Sequence, residues 1–280
     1  MRASAIPVKG GSTGFTLDGE AVRAAALSLD EAERSRAQIR LLSETYPGIT
    51  MDDAYAIQAE WVRMKQAAGD PIIGWKIGLT SKAMQQALSI DIPDSGVLLQ
   101  SMDFASGCTI PSCRFIQPRI EAEIAFVTKA PMDDPLLEAI LDATEYVAPA
   151  LEILDTRITR KDPQTGRLRT VYDTISDNAA NGGIVMGAPV RDFRGIDLRR
   201  VGAICSRDGE VEETGLGAGV LGDPVLSMSW LVQRLAAYGQ RIEAGQVVLS
   251  GSFIRPIEAP HGSYILGDFG DFGKVDLTFA

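Results

Sequence analysis

The sequence predicts an α+β fold in which a small helical unit precedes a larger β-rich domain. Apolar residues recur at helical spacing up to about residue 70. Beyond Pro71, short apolar runs alternate with Gly, Pro and Asp turns, the pattern of consecutive strands. Helix signals are then few, the clearest being Asp223-Pro224, a cap followed by proline at the first helical position.

Residues 1–16 are rich in Gly, Ser and Thr and predict a mobile tail. A helical unit is expected over 17–70 and a β-rich domain over 71–280. From Asp18 to Ser43, Val22, Ala26, Leu29, Ala32, Ile39 and Leu42 make one amphipathic stripe, broken by Tyr46-Pro47-Gly48. Thr50 caps a second helix with Asp52 and Asp53 in its first turn. Its inner face is Ala54, Ile57, Trp61, Met64 and Ala68, and Gly69 ends it. Ile72–Leu79 is a short strand carrying Lys76, and residues 80–90 predict a helix. Pro93-Asp94-Ser95-Gly96 reads as a turn before Val97-Leu98-Leu99. Asp208-Gly209 marks a hairpin between 201–206 and 210–214. The Asp223-Pro224 helix runs to Gly239, and residues 247–249, 263–266 and 275–279 are closing strands.

The chemistry concentrates in residues 119–155. Arg119 to Val127 alternates, with Ile120, Ala122, Ile124 and Phe126 apolar, so it reads as a half-buried strand. Glu121 and Glu123 then share a face, their attachment points roughly 6.5–7 Å apart. Val147 to Asp155 is almost wholly apolar until Glu152, and a glutamate in such a run must be paired, neutral or metal-bound. Three carboxylates with no thiol or imidazole nearby suit a hard cation, magnesium before manganese or calcium. The competing reading sets Glu121 and Glu123 on a solvated face and pairs Glu152 with Arg157 or Arg119.

A net charge of −10 excludes nucleic acid, which needs a basic footprint. Three cysteines are too few for a disulfide framework. No apolar run has the length to span a bilayer, and no signal peptide is evident, so a cytoplasmic location is expected. His261 is the only histidine, which leaves multi-histidine zinc hydrolysis without ligands. Neither a phosphate loop nor a dinucleotide fingerprint occurs. Lys76 between two glycines either snorkels out of its strand or serves a site. The polar run Asp173–Gly183 reads as a loop that could present hydroxyls and amides to a ligand.

Six stretches together resemble one family: Gly74–Gln85, Pro93–Leu99, Arg119–Phe126, Pro149–Asp155, Asp173–Asn181 and Gly251–Phe253. The chain is similar to the hydratase/decarboxylase branch of the fumarylacetoacetate hydrolase superfamily, from about Leu27 onward and in the same order. The resemblance implies a mixed β-roll core with an N-terminal helical cap. It implies a divalent metal, magnesium first and manganese second, on Glu121, Glu123 and Glu152. It gives Lys76 and Asp94 the handling of protons, and makes Ser176, Asn178, Asn181 and Ser252 the candidates for hydrogen bonds to substrate. The implied reaction is addition of water to a 2-hydroxy-2,4-dienoate or 2-oxo-4-enoate with a second carboxylate, in aromatic-compound catabolism. Arg157, Arg160 and Arg255 are the candidates to hold that distal carboxylate. A homo-oligomer, a decamer or another pentamer-based assembly, is expected, with neither nucleic acid nor membrane as partner. The alternatives are a vinylogous 2-oxo acid decarboxylase and a non-catalytic partner subunit of such a complex. Hydrolysis of a diketone, which in the hydrolase branch needs a histidine, is disfavoured because none precedes position 261.

Overall fold

The computed structural model describes residues 14–82, 85 and 92–280. The tail expected over 1–16 and the helix expected over 80–90 therefore lie largely outside the described residues. Helix α1 (Gly19–Ser35) starts at Asp18, whose side chain accepts from Ala21 N–H. It stops at Arg36, whose φ of 58° is left-handed. The single helix expected to Ser43 is thus two pieces, the second being the short turn α2 (Leu42–Thr45). Between them, Ile39 bonds to the core: its N–H donates to Arg157 O at 2.9 Å, and its carbonyl accepts from Thr159 N–H at 2.9 Å. Pairing with the β domain overrides the helical periodicity there. Helix α3 (Met51–Ala67) begins with a capping box between Thr50 and Asp53. Ala54, Ile57 and Trp61 are buried as their spacing predicts, whereas Ala68 is exposed beyond the helix end.

Thirteen strands follow among the described residues. They are β1 (Ile72–Gly78), β2 (Asp94–Leu99), β3 (Asp103–Ala105), β4 (Cys108–Ile110), β5 (Arg119–Thr128), β6 (Thr144–Leu154), β7 (Asn181–Met186), β8 (Gly202–Arg207), β9 (Glu210–Leu216), β10 (Val247–Leu249), β11 (Ile257–Glu258), β12 (Tyr264–Asp268) and β13 (Lys274–Phe279). Helices α4 (Leu137–Ala143), α5 (Val171–Ser176) and α6 (Pro224–Ala236) lie between them among the described residues. The main sheet runs β2-β1-β10-β5-β6-β7-β3, with β11 also on β5; a second runs β4-β13-β12-β8-β9. The β8–β9 hairpin turns at Asp208 and Gly209, both with positive φ, as the Asp-Gly pair predicts.

The main sheet curls into a roll, and the expectation of a half-buried strand at 119–127 needs correction. Both faces of β5 are buried. Ile120, Ala122, Ile124 and Phe126 face the main core, while Ala125 and Val127 join Leu98, Ala150, Ile184, Val247 and Leu249 in a second apolar cluster. Glu121 and Glu123 stand on this second face, beyond the open end of the cluster.

Two stretches read as turn or loop are regular structure. Asp94-Ser95-Gly96 opens β2. Asp173–Gly183 is the end of α5, a left-handed turn and the start of β7. In that turn Asn178, Ala179 and Ala180 have φ of 50°, 53° and 56°. The Asn178 amide acts as a missing strand partner for the free edge of β2: Oδ1 accepts from Val97 N–H at 2.8 Å and Nδ2 donates to Val97 O at 2.9 Å. Buried Arg157 holds the same turn, donating to Asp177 O at 2.9 Å and Asn181 O at 3.0 Å, and pairs with the Asp177 carboxylate. It also reaches Glu33 of α1 at 3.3 Å and lies over the Trp61 ring. One guanidinium thus fastens the helical cap to the roll.

Asn178→Ala leaves the Val97 N–H without its partner in a dry place and the Val97 carbonyl with only the 3.4 Å contact to Asn181 Nδ2. It should lower unfolding stability by about 2–3 kcal/mol, measured by urea denaturation, whereas loss of under half that would show the edge is closed by other contacts.

Candidate active site

The register of β5 against β6 sets Glu121 directly opposite Glu152, with Glu123 two residues along opposite Ala150. One carboxylate oxygen from each of the three lies within 4.8 Å of the others. Like charges opposite each other on neighbouring strands are destabilising. At an effective dielectric of 20, each pair of ionised carboxylates at that distance repels by roughly 3–4 kcal/mol. Burial, followed by the Glu152 charge, pushes Glu121 up to about 8. Burial pushes Glu123 well above the usual carboxylate range, with Glu152 and Glu121 adding to it. Glu152 is raised by burial too, against the opposing pull of Lys76.

Lys76 reaches the cluster because the roll closes. It lies three strands from Glu152 in the sheet, yet its Nζ is 3.2 Å from Glu152 Oε1. The same Nζ donates to Ala179 O at 3.0 Å, a carbonyl delivered by the left-handed turn. Desolvation works against the ammonium, but Glu152, Asp94, Glu121 and Glu123 outweigh it and raise its pKa. Asp94 is 1% exposed, and neither of its oxygens has a hydrogen-bond partner among the described residues. Burial raises its pKa and Lys76 opposes that rise. Gly78, paired with Asp94 across β1 and β2, leaves the room: a Cβ there would fall 2.2 Å from Asp94 Oδ1.

One ammonium faces four carboxyl groups, so partial protonation or a multivalent cation must remove the excess charge. The donor set fits a hard divalent ion. Glu123 Oε1 and Glu152 Oε2 are buried and accept no hydrogen bond among the described residues. The other Glu123 oxygen accepts from Gly251 N–H at 2.7 Å, which aims the side chain. Gly251 has a φ of 114°, and a Cβ would strike Thr80 Oγ1 at 2.4 Å, so only glycine brings this donor so close.

Of the three carboxylates, Glu121 lines a cavity of about 280 Å³, together with Lys76, Asp94, Thr80, Thr174 and Ser252. Arg119, Arg160 and Arg169 line the same cavity. Burial and then the charges of Arg119 and Arg169 push Arg160 down to about 10, the mark of three crowded cations. Arg169 does not stand out in the sequence, because it lies four residues before the polar run, in an ordinary loop. Of the three arginines expected to meet a distal carboxylate, only Arg160 lines this cavity. Arg157 is occupied in the cap contact, and Arg255 is exposed and paired with Glu213 at 2.6 Å. Of the four residues expected to bond substrate, Ser252 lines the cavity, its hydroxyl donating to Ile254 O at 2.9 Å. Ser176, Asn178 and Asn181 are buried outside the lining. Asn178 is occupied by Val97, and Asn181 Nδ2 points to the same carbonyl at 3.4 Å.

No family model matches the chain. It is 49% identical over 257 residues to 2-oxo-hept-4-ene-1,7-dioate hydratase of Escherichia coli, covering 91% of this chain and 96% of that protein. The chain belongs to the hydratase/decarboxylase branch of the fumarylacetoacetate hydrolase superfamily. A 2-keto-4-pentenoate hydratase of Paraburkholderia xenovorans is 40% identical over 91% of this chain and 93% of its own length. Among solved structures, 4-oxalocrotonate decarboxylase from Pseudomonas putida G7, complexed with magnesium and adipate, superposes with a TM-score of 0.89. It is 32% identical, over 95% of this chain and all of that one. A second structure of that decarboxylase holds calcium and acetate. No helix among the described residues is long and apolar enough to cross a membrane.

The raised carboxyl groups give a sign to the metal-free protein's pH dependence. An acid whose pKa is higher folded than unfolded binds its proton more tightly when folded. Its stability contribution is full below about 4.5 and is lost as pH rises through about 8. In a chelator, the melting temperature should fall between pH 5 and pH 8, and magnesium should restore more of it at pH 8. A metal-free melting temperature that climbs over this range would contradict the clustered carboxylates.

Proposed function

We propose that this protein is a metal-dependent hydro-lyase that adds water to a 2-hydroxy-2,4-dienoate or 2-oxo-4-enoate, with 2-oxo-hept-4-ene-1,7-dioate the favoured substrate. One observation carries the reading: three carboxylates converge at a cavity that one of them, Glu121, lines together with buried Lys76, buried Asp94 and three arginines. It is supported by the 49% identity to a hydratase of that name. Glu121, Glu123 and Glu152 would hold magnesium, with manganese second, and the ion would supply Lewis-acid stabilisation of enolate-like charge on a 2-oxo acid.

The chain's own groups then divide the work. Lys76, its pKa raised by four carboxyl neighbours, stays an ammonium and steadies negative charge at the C1–C2 end of the substrate. Asp94 has a pKa raised by burial, so its carboxyl can carry a proton as well as accept one. It is the candidate to transfer the proton that turns the dienol into the α,β-unsaturated ketone. Water adds at C4, and a last proton transfer gives the 4-hydroxy-2-oxo acid. Arg160, with Arg119 and Arg169, is the candidate clamp for the distal carboxylate. Ser252 is the remaining candidate for a substrate hydrogen bond at the cavity wall, while Ser176, Asn178 and Asn181 would act by shaping the turn behind Lys76.

A homo-oligomer, pentamer-based or decameric, is proposed with it; Ile204, Val211 and Leu216, exposed on the β8–β9 hairpin at the edge of the second sheet, support an interface there. A vinylogous 2-oxo acid decarboxylase is the second reading, favoured by the 0.89 superposition. Product analysis separates the two: the hydratase yields the hydroxy-oxo acid without gas, and stoichiometric CO₂ from a dicarboxylate would overturn it.

Glu152→Gln should abolish magnesium-dependent turnover with the fold retained by circular dichroism. Lys76→Ala and Asp94→Asn should each lower kcat by roughly 10²–10⁴-fold while the protein still binds the metal. Arg169→Met should raise KM at least tenfold for a seven-carbon dicarboxylate and leave that for a five-carbon monocarboxylate within twofold. Equal effects on both substrates would remove the arginine wall from specificity.

A further inference from the structure

The two-stranded β1–β2 unit has a cavity on each side. Lys76, Gly78 and Asp94 face the carboxylates; Ile72, Trp75, Ser95 and Val97 face the other way. There they line a second cavity of about 350 Å³, between β1–β2, α3 and α6. Its volume falls at the low end of ordinary small-molecule sites. The walls are mostly apolar and aromatic, with Tyr55, Val62, Trp75 and Val97 among them, and Gln58, Gln66 and Gln240 add neutral polar groups.

A single cation sits in this lining. Arg234 of α6 is 8% exposed, and its Nη2 is buried without a hydrogen-bond partner among the described residues. Its guanidinium lies over the Tyr55 ring at 4.2 Å and the Tyr238 ring at 4.4 Å, so ring faces hold it where a carboxylate ordinarily would. A buried guanidinium with an unfilled donor is costly unless something anionic completes it. The one acidic residue of the lining, Asp52, already accepts from Gly14 N–H at 2.6 Å and from the Tyr238 hydroxyl at 3.2 Å.

We infer that this second cavity is a binding site for a small carboxylate with a flat apolar body, the carboxylate on Arg234 and the body against Trp75, Val62 and Val97. The site is independent of the reaction assigned to the first cavity. It lies close to that cavity: the Tyr55 hydroxyl is 3.2 Å from Ser95 N–H, beside Asp94 in β2.

Trp75 lines this cavity, while Trp61 and Trp230, each at most 2% exposed, do not, so Trp75 is the reporter. Benzoate titrated into the magnesium-loaded protein should change tryptophan fluorescence saturably, and Trp75→Phe should remove the change. The neutral amide, benzamide, should bind at least tenfold more weakly. Arg234→Met should weaken benzoate at least tenfold, and Arg169→Met, in the other cavity, should leave the titration unaltered. If Arg234→Met fails to fold, Ala59→Trp on an exposed position of α3 fills the cavity and should give the same loss. The inference is overturned if benzoate gives no saturable change, if the change follows Arg169 instead of Arg234, or if the assembled protein seats a neighbouring subunit's side chain in the cavity.

Discussion

Everything in the catalytic half of the molecule answers to one electrostatic difficulty: Glu121 and Glu152 are opposite one another on adjacent strands, with Glu123 beside them, inside a closed roll. In an open sheet such residues would splay into water. Here both faces of β5 are covered, so the charges have nowhere to go. Lys76, the Gly251 N–H and the raised proton affinity of the carboxyls are the partial answers the chain itself supplies. They fall short of neutrality, which is why the cluster is better suited to a multivalent ion than to a structural ion pair. The competing pairing of Glu152 with Arg157 or Arg119 is not what forms, since Arg157 is held by Asp177 and Glu33 and Arg119 by Glu258.

The roll must stay shut for Lys76 to meet Glu152, and its closure depends on side chains. Among the described residues strand β2 has no backbone strand partner on its outer edge, and the Asn178 amide fills that role at Val97. The three left-handed residues that follow from this arrangement turn the Ala179 carbonyl onto Lys76. Closure and lysine placement are therefore one device. Arg157 anchors the turn from behind and carries the anchor to α1 and Trp61, so the helical cap contributes to the same geometry from a distance.

This explains what could be read from the sequence. Period-two alternation at 119–127 and the apolar run at 147–154 are local signals, and they are enough to place the carboxylates on their strands. The capping box at Thr50 and the Asp208-Gly209 hairpin are likewise local chemistry, and both form as read. The break at Arg36 was hidden because its cause lies more than 100 residues away, at Arg157 and Thr159. The roles of Asn178 and Arg157 were hidden for the same reason: a polar residue in a polar run looks alike whether it meets a ligand or replaces a strand. The arginine wall was half visible, since Arg160 stood out beside Arg157 while Arg169 reached the cavity only through the folding of the 160–170 loop.

Strand alternation has a further consequence at β1–β2. Because successive side chains point to opposite faces, any residue set that aims Lys76 and Asp94 inward must aim Trp75 and Ser95 outward, under the helical cap. The cap cannot pack on that face as a uniform apolar layer, since α6 brings Arg234 and α3 brings Tyr55 to the same spot. Ring stacking keeps the guanidinium in place but leaves Nη2 without a hydrogen-bond partner among the described residues, and a cavity persists where a filled core would otherwise be expected. Filling it with a leucine-like side chain would have been the simpler packing solution. A pocket that instead preserves one buried cation, stacked on the tyrosine whose hydroxyl meets Ser95, is better accounted for by an anionic occupant than by packing alone.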